Sequence, residues 1–179
     1  MSNLEPYLPV IGSREWLSLP DLGIPKIKAK IDTGAQNACL HTSGIETFER
    51  DGQTFVRFNV HFKQHARKKS VEAEAELLEY RVVRSSNGEA TRRPVIVTHV
   101  EVLGKSWPVE VTLADRSSMS YRMLLGRESI RGRFLVDVDR ALIGGSSTSI
   151  ETSKTDTSQL TRSEQRLHDN GDTADATAD

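Results

Sequence analysis

Hydrophobic residues recur at every second position along most of this chain. Ile27, Ala29 and Ile31 alternate with Lys26, Lys28 and Lys30, the signature of a strand with one buried face. Over residues 54–62, TFVRFNVHF, the apolar positions Val56, Phe58, Val60 and Phe62 alternate with Phe55, Arg57, Asn59 and His61. Further candidate strands follow in RPVIVTHVEVL, SWPVEVTL, YRMLLG and RFLVDV. Asn87-Gly88 marks a hairpin, because both central positions of a type I′ turn need positive φ. The segment HARKKSVEAEAELLEY reads two ways. Glu72, Glu74 and Glu76 alternate like an exposed strand, yet Ala and Glu also favour helix. Many short strands separated by turns predict a closed or sandwiched all-β domain, with one short helix in RESIRG after Gly126. No solenoid-like repeat is present.

The pattern stops near residue 142. Phe134 is the last aromatic residue, and from Gly144 the chain is dominated by Ser, Thr and Asp. Such a stretch cannot bury enough apolar surface to offset the entropy of ordering. The expected organisation is a folded domain over 1–142 and a disordered tail over 143–179, with at most a short helix around 159–167.

Composition removes several function classes. The 24 Lys and Arg balance 25 Asp and Glu, so no net field draws the chain to nucleic acid or a membrane. A single cysteine, Cys39, excludes an internal disulfide framework and suits the reducing cytoplasm. No basic start followed by an apolar core marks a signal peptide, and no apolar run reaches the length of a membrane span.

The candidate chemistry lies in KAKIDTGAQNACLH, residues 28–41. An alternating strand runs into Asp32-Thr33-Gly34, which places a carboxylate on a tight turn at a strand end. Aspartic proteolysis needs that placement from two carboxylates. A close pair cannot both ionise, so it holds one proton and a water. Gly34 lets the backbone approach the carboxylate, and the Thr33 hydroxyl can bond across the turn. The alternative is an aspartate that merely caps its own turn. Only one Asp-Thr-Gly occurs before the tail, so a dyad requires two chains about a two-fold axis.

Asp32-Thr33-Gly34-Ala35, followed at a distance by Leu124-Leu125-Gly126-Arg127, resembles the retropepsin-like aspartic proteases. GSREWLSLPDLGIPKIKAKIDTGAQNACLH, RVVRSSNGEATRRPVI and DRSSMSYRMLLGRESIRGRFLVDV resemble, more narrowly, a bacterial family of that type, RimB-like, over most of residues 9–138. The label ATP-dependent zinc protease is also in use for it. The resemblance implies a closed β-barrel with one short helix and a homodimeric aspartic endopeptidase. Asp32, Thr33 and Gly34 would form the catalytic turn, and no cofactor is needed. Ala35 would line the substrate. A flap within 81–94 would close on it through Arg84, Ser85, Ser86 and Asn87. Gly126 and Arg127 would support the catalytic loop, Arg127 tying the helix to the dimer interface; Asn37 and His41 are further supporting candidates because they lie close to that loop in sequence. Residues 45–80 exceed the viral counterpart in length, and the terminal strands that dimerise viral enzymes are not evident.

The zinc label finds little in the residues. His61 and His65 have the i, i+4 spacing of a metalloprotease helix, but Phe62 replaces its glutamate and the surrounding pattern is a strand. Cys39 and His41 lack a second ligand pair, so no metal is expected. Gly144-Gly145 lacks a phosphate-loop lysine, and no Gly-x-Ser-x-Gly accompanies Ser117, Ser118 and Ser120. Arg14 and Glu15 are expected to pair, with Trp16 as packing.

Arg81, Arg84, Arg92 and Arg93 flank the expected flap, and Arg116, Arg122 and Arg127 surround the second motif. Arginines over a cleft favour carboxylates; solvated charge on hairpin strands is the competing explanation. The family resemblance implies a setting beside an ATP-grasp ligase that adds glutamates to a ribosomal protein. The substrate would then be a glutamate tail. A non-catalytic module that binds the ligase or its acidic product would share this affinity without cutting.

Overall fold

A computed structural model describes residues 7–64, 67–84, 88–115 and 120–145. Ser85, Ser86, Asn87, His65, residues 116–119 and the expected tail from 146 onward lie outside them.

The strands are β1 (Val10–Gly12), β2 (Arg14–Leu19), β3 (Ile24–Asp32), β4 (Ala38–Arg50), β5 (Gln53–Gln64), β6 (Arg67–Glu76), β7 (Glu79–Arg84), β8 (Ala90–Val102), β9 (Lys105–Ala114), β10 (Met123–Gly126) and β11 (Leu135–Asp137). One helical turn, α1 (Arg127–Ile130), follows β10 directly. Strands pair in the order β10-β3-β2-β8-β9-β4, and β10 also pairs with β4. Six strands thereby close a ring. β5 and β6 extend it beyond β4, and β7 hangs on the first half of β8.

Alternation decides which side chains fill the ring. Ile27, Ala29 and Ile31 of β3 are buried, as are Val56, Phe58, Val60 and Phe62 of β5, all as their two-residue period predicts. They join Leu40, Ile96, Leu113, Met123 and Leu125 in one core. Residues 67–76 are a strand, because each pairs with β5 from Gln64↔Arg67 to Phe55↔Glu76. Cross-strand pairing outweighs the helix preference of Ala and Glu there. Glu74 on its outer face meets Arg50 at 2.6 Å and Arg57 at 2.7 Å.

Turn chemistry differs from expectation at one place. Arg84 pairs with Ala90, so five residues separate the strands around Asn87-Gly88 rather than the two of a type I′ turn. The two-residue hairpins are Asp51-Gly52, between Arg50 and Gln53, and Leu103-Gly104, between Val102 and Lys105. All four turn residues have positive φ, the requirement of that turn type.

Toward the two ends of the described residues, β1 runs parallel to β11. β11 falls within the expected strand RFLVDV, whereas β1, with only three residues, is too short for a periodicity to show. Glu15 is not paired with Arg14. It is fully buried and accepts hydrogen bonds from the amides of Gly12 at 2.8 Å, Ile143 at 3.0 Å and Gly144 at 3.2 Å. Arg14 turns outward and donates to the Tyr121 hydroxyl. Arg140 O accepts from Ser13 N, and Arg14 O from Leu142 N. The end of the domain is thus fastened along β2. The hydrogen-bonded contacts reach three residues past 142, Gly145 N donating to Leu142 O.

Replacing Glu15 by alanine leaves three amides without an acceptor, and a buried unmet donor costs about 1–3 kcal/mol. The expected loss is about 3 kcal/mol overall, read as a lower urea midpoint with an unchanged slope.

Candidate active site

Asp32 is the last residue of β3. With Ile27, Ala29 and Ile31 locked inward, Asp32 shares the outer face of the strand with Lys28 and Lys30. Beyond it the backbone reverses, Ala35 N donating to Asp32 O at 3.2 Å. The carboxylate is held by the same turn. Its Oδ1 accepts from the amides of Gly34 and Ala35, both at 3.1 Å. Its Oδ2 lies 3.4 Å from Lys30 Nζ, and the side chain is 26% exposed. Gly34 eases this approach, since a Cβ there would sit 3.3 Å from Asp32 Oδ1, a tight contact. Thr33 is exposed.

The turn is pinned from beneath. β10 enters between β3 and β4, parallel to the first with Gly126 beside Asp32, and antiparallel to the second with Leu124 beside Cys39. The loop joining β3 to β4 crosses directly over Gly126. A Cβ at 126 would lie 2.4 Å from Asn37 O and 2.6 Å from Gln36 O. Its φ of −78° suits any residue, so space alone demands glycine. Arg127 N donates to Ala35 O at 2.8 Å and Glu128 N to Gln36 O at 3.2 Å. The Arg127 guanidinium reaches Gly34 O at 3.1 Å. Every peptide carbonyl from Gly34 to Gln36 therefore has a donor from the start of α1.

Beside the turn lies a small apolar cluster, separate from the main core: Cys39, Ala114 and Leu124, packed with Ala35. Arg93 closes one side, its Nη1 lying 3.8 Å from Cys39 Sγ and its Nε 2.8 Å from Thr91 Oγ1. Asn37 and Arg81 meet, Arg81 Nη1 donating to Asn37 Oδ1 at 3.2 Å. This contact links the loop after Asp32 to β7.

The arginines do not form one cluster. By strand alternation Arg81 and Arg93, a cross-strand pair, occupy one face, while Arg84 and Arg92 occupy the other. Arg81 is neutralised by Glu79 and by Glu110 at 2.8 Å, which raise its pKa, Glu110 most. Arg92 stacks over Tyr80 at 4.2 Å, and Arg84 donates to Gly88 O within its own hairpin. Ser85, Ser86 and Asn87 fall outside the described residues. His41 sits away from Asp32. Its amide donates to Arg122 O, so it lies level with the start of β10, whereas Asp32 lies at its end. The His41 ring is buried, 3.7 Å from Asp115 Oδ1 and 6.1 Å between centroids from His61. His61 bonds Ser43 Oγ at 2.7 Å. Among the described residues, no group of three or more His, Cys, Asp and Glu is placed to hold a metal.

The chain that carries this turn has relatives. The family described as RimB-like, retropepsin-like aspartic endopeptidase RimB, matches residues 10–146. The chain belongs to this family. Curated relatives of the RimB-like chain include a probable alpha-L-glutamate ligase of Shewanella halifaxensis (strain HAW-EB4), 41% identical over 142 residues, 79% of this chain and 31% of the relative. Another, of the same name from Parasynechococcus marenigrum (strain WH8102), is 45% identical over 128 residues, 72% of this chain and 28% of the relative. The chain thus spans under a third of the ligases it matches. A crystal structure of a Legionella pneumophila protein of unknown function superposes with a TM-score of 0.61 at 27% identity, covering 80% of this chain and 99% of that one.

Sequence reasoning missed the clamp. Its signal was the Gly in Leu-Leu-Gly-Arg, which marks a close approach but not the backbone that approaches. Substituting Gly126 by alanine forces the Gln36–Asn37 peptide away, and overpacking of this kind costs about 1–3 kcal/mol. The measurement is a stability loss of that size, together with faster amide exchange at Gly34 and Ala35.

His41 carries a second prediction. Burial, then the Arg122 guanidinium, lower its pKa, while Asp115 opposes them. The folded state therefore keeps His41 neutral where the unfolded chain, near its ordinary 6.5, protonates. The contribution is full above that value and is lost as pH falls through the lowered folded one. Urea midpoints should fall between about pH 7 and about pH 5, and His41→Gln should flatten the fall.

Proposed function

We propose that this RimB-like chain is an aspartic endopeptidase that works in the cytoplasm as a homodimer, with Asp32 of each protomer sharing one water and one proton. The observation that carries this reading is the Asp32 carboxylate, oriented by two amides on a turn whose carbonyls are held by α1. Oδ1 is engaged there, so Oδ2, which Lys30 Nζ also approaches at 3.4 Å, is the oxygen that would face the water. The ionised Asp32 removes a proton from the water, whose oxygen adds to the scissile carbonyl; the protonated Asp32 polarises that carbonyl. Collapse of the tetrahedral adduct passes the proton to the leaving nitrogen and yields a carboxylate and an amine. Thr33, exposed at the turn, would bond the partner's loop. The terminal pair β1–β11 leaves Leu135 54% and Val138 81% exposed, apolar surface suited to a two-fold contact. Among the described residues, no helix is long and apolar enough to cross a membrane.

The substrate class we favour is an acidic peptide, such as a glutamate tail added by a ligase. Support comes from the relatives named as glutamate ligases and from Lys30 beside Oδ2, placed to meet a substrate carboxylate. A second reading is a non-catalytic module that binds such a ligase or its acidic product. The match of this domain to less than a third of those ligases favours it.

The test is mass spectrometry of a protein with a C-terminal oligoglutamate tail, incubated with wild type and Asp32→Asn, with and without chelator. Cleavage that survives chelation and disappears in Asp32→Asn is the expected result. Tail binding by both proteins without cleavage would establish the regulatory module instead, and loss on chelation alone would point to a metal.

A further inference from the structure

A cavity of about 690 Å³ opens at the end of β10 remote from Gly126. Its wall carries four cations, Lys28, Lys68, Lys69 and Arg122, with Trp16 and Tyr121 beside them. None of the described residues lining it is acidic. Trp16 pairs with Lys28 across β2 and β3, and its ring takes Lys26 Nζ at 4.6 Å and Lys28 Nζ at 4.9 Å from the centroid. Cation–π contact of this kind holds the lysine stems along the ring. Lys68 and Lys69 reach the cavity from β6, at the far end of the β5–β6 hairpin.

This position has a fixed relation to Asp32. Lys28, Lys30 and Asp32 are alternate residues on one face of β3, and four residues of strand span about 13 Å. An extended peptide on this face would present alternate side chains with the same period. A carboxylate opposite Lys30 and another in the cavity then fall about two and four residues from the bond that faces Asp32.

We propose that the cavity bounded by Lys28, Lys68, Lys69, Arg122 and Trp16 is a binding site for the carboxylate side chains of an acidic peptide, held about four residues from the bond at Asp32. The proposal deepens the endopeptidase reading and rests on it for the direction of the peptide. Charge complementarity commits it to a polyanionic chain of carboxylates. The site grips such a chain through separate point charges, so affinity falls with added salt and depends on the number of carboxylates rather than on one neighbour.

The experiment uses the full chain carrying Asp32→Asn, so binding is read without cleavage. An oligoglutamate peptide is titrated by calorimetry into this protein and into versions that also carry Lys68→Gln with Lys69→Gln, or Lys68→Arg with Lys69→Arg. Both lysines are exposed, so their replacement leaves the core intact. The glutamine pair should raise Kd at least tenfold at low salt, and the arginine pair should preserve it. An unchanged Kd in the glutamine pair overturns the site. Equal affinity for an oligoglutamine peptide, or tighter binding of an oligonucleotide of equal charge, overturns the ligand class. Failure of the endopeptidase reading shows itself separately, as no cleavage by wild type while the charge-dependent binding persists.

Discussion

The structure depends on the insertion of β10 between β3 and β4. That single strand closes the ring, and the residue at its end decides what can lie above it. A carbonyl 2.4 Å from where a Cβ would stand admits glycine and nothing larger at 126. The contact forces the Gln36–Asn37 backbone down onto the sheet and brings the first amides of α1 under the turn. The orientation of the Asp32 carboxylate is thereby inherited from a packing constraint about ninety residues later in the chain. A helix of one turn has little stability of its own; here it works as a set of donors fixed by the strand that precedes it.

Much of this was legible in the chain because it rests on local rules. The inward rows of β3 and β5 follow from a two-residue period, and the end of β3 at Asp32 from the polar turn after it. What escaped the sequence is whatever depends on partners distant in the chain. The strand character of residues 67–76 comes from β5, against the preference of their Ala and Glu. Arg14 and Glu15 look like an ion pair, but Glu15 is spent on amides more than 120 residues away. The arginines near the flap look like one cluster until alternation sends Arg81 and Arg93 to one face and Arg84 and Arg92 to the other. Asp51-Gly52 and Asn87-Gly88 carry comparable type I′ chemistry, but only the first joins its strands across two residues.

In the proposed reading, the endopeptidase character of the RimB-like family and an acidic substrate meet at the outer face of β3. One end of that face holds an oriented carboxylate, the other a wall of cations. A protein that only binds acidic chains needs the second and has no use for the first. A protein that cuts them needs both, and a second copy of the first. The balanced net charge of the whole chain conceals this, since the glutamates on the outer face of β6 offset the lysines in the sum without entering the cavity.

The fastening of Glu15 by the amides of Ile143 and Gly144 bears on the order of events during synthesis. A buried carboxylate near the start of the chain has to await its last two donors from the end of the domain. β3 likewise awaits β10. Contacts of such sequence separation close slowly, so neither the ring nor the turn above Gly126 can mature before β10 and α1 have been made. For a chain with the proposed activity, a copy cut short before α1 would lack an oriented carboxylate, and peptide-cutting capacity would arise only in molecules made through that helical turn.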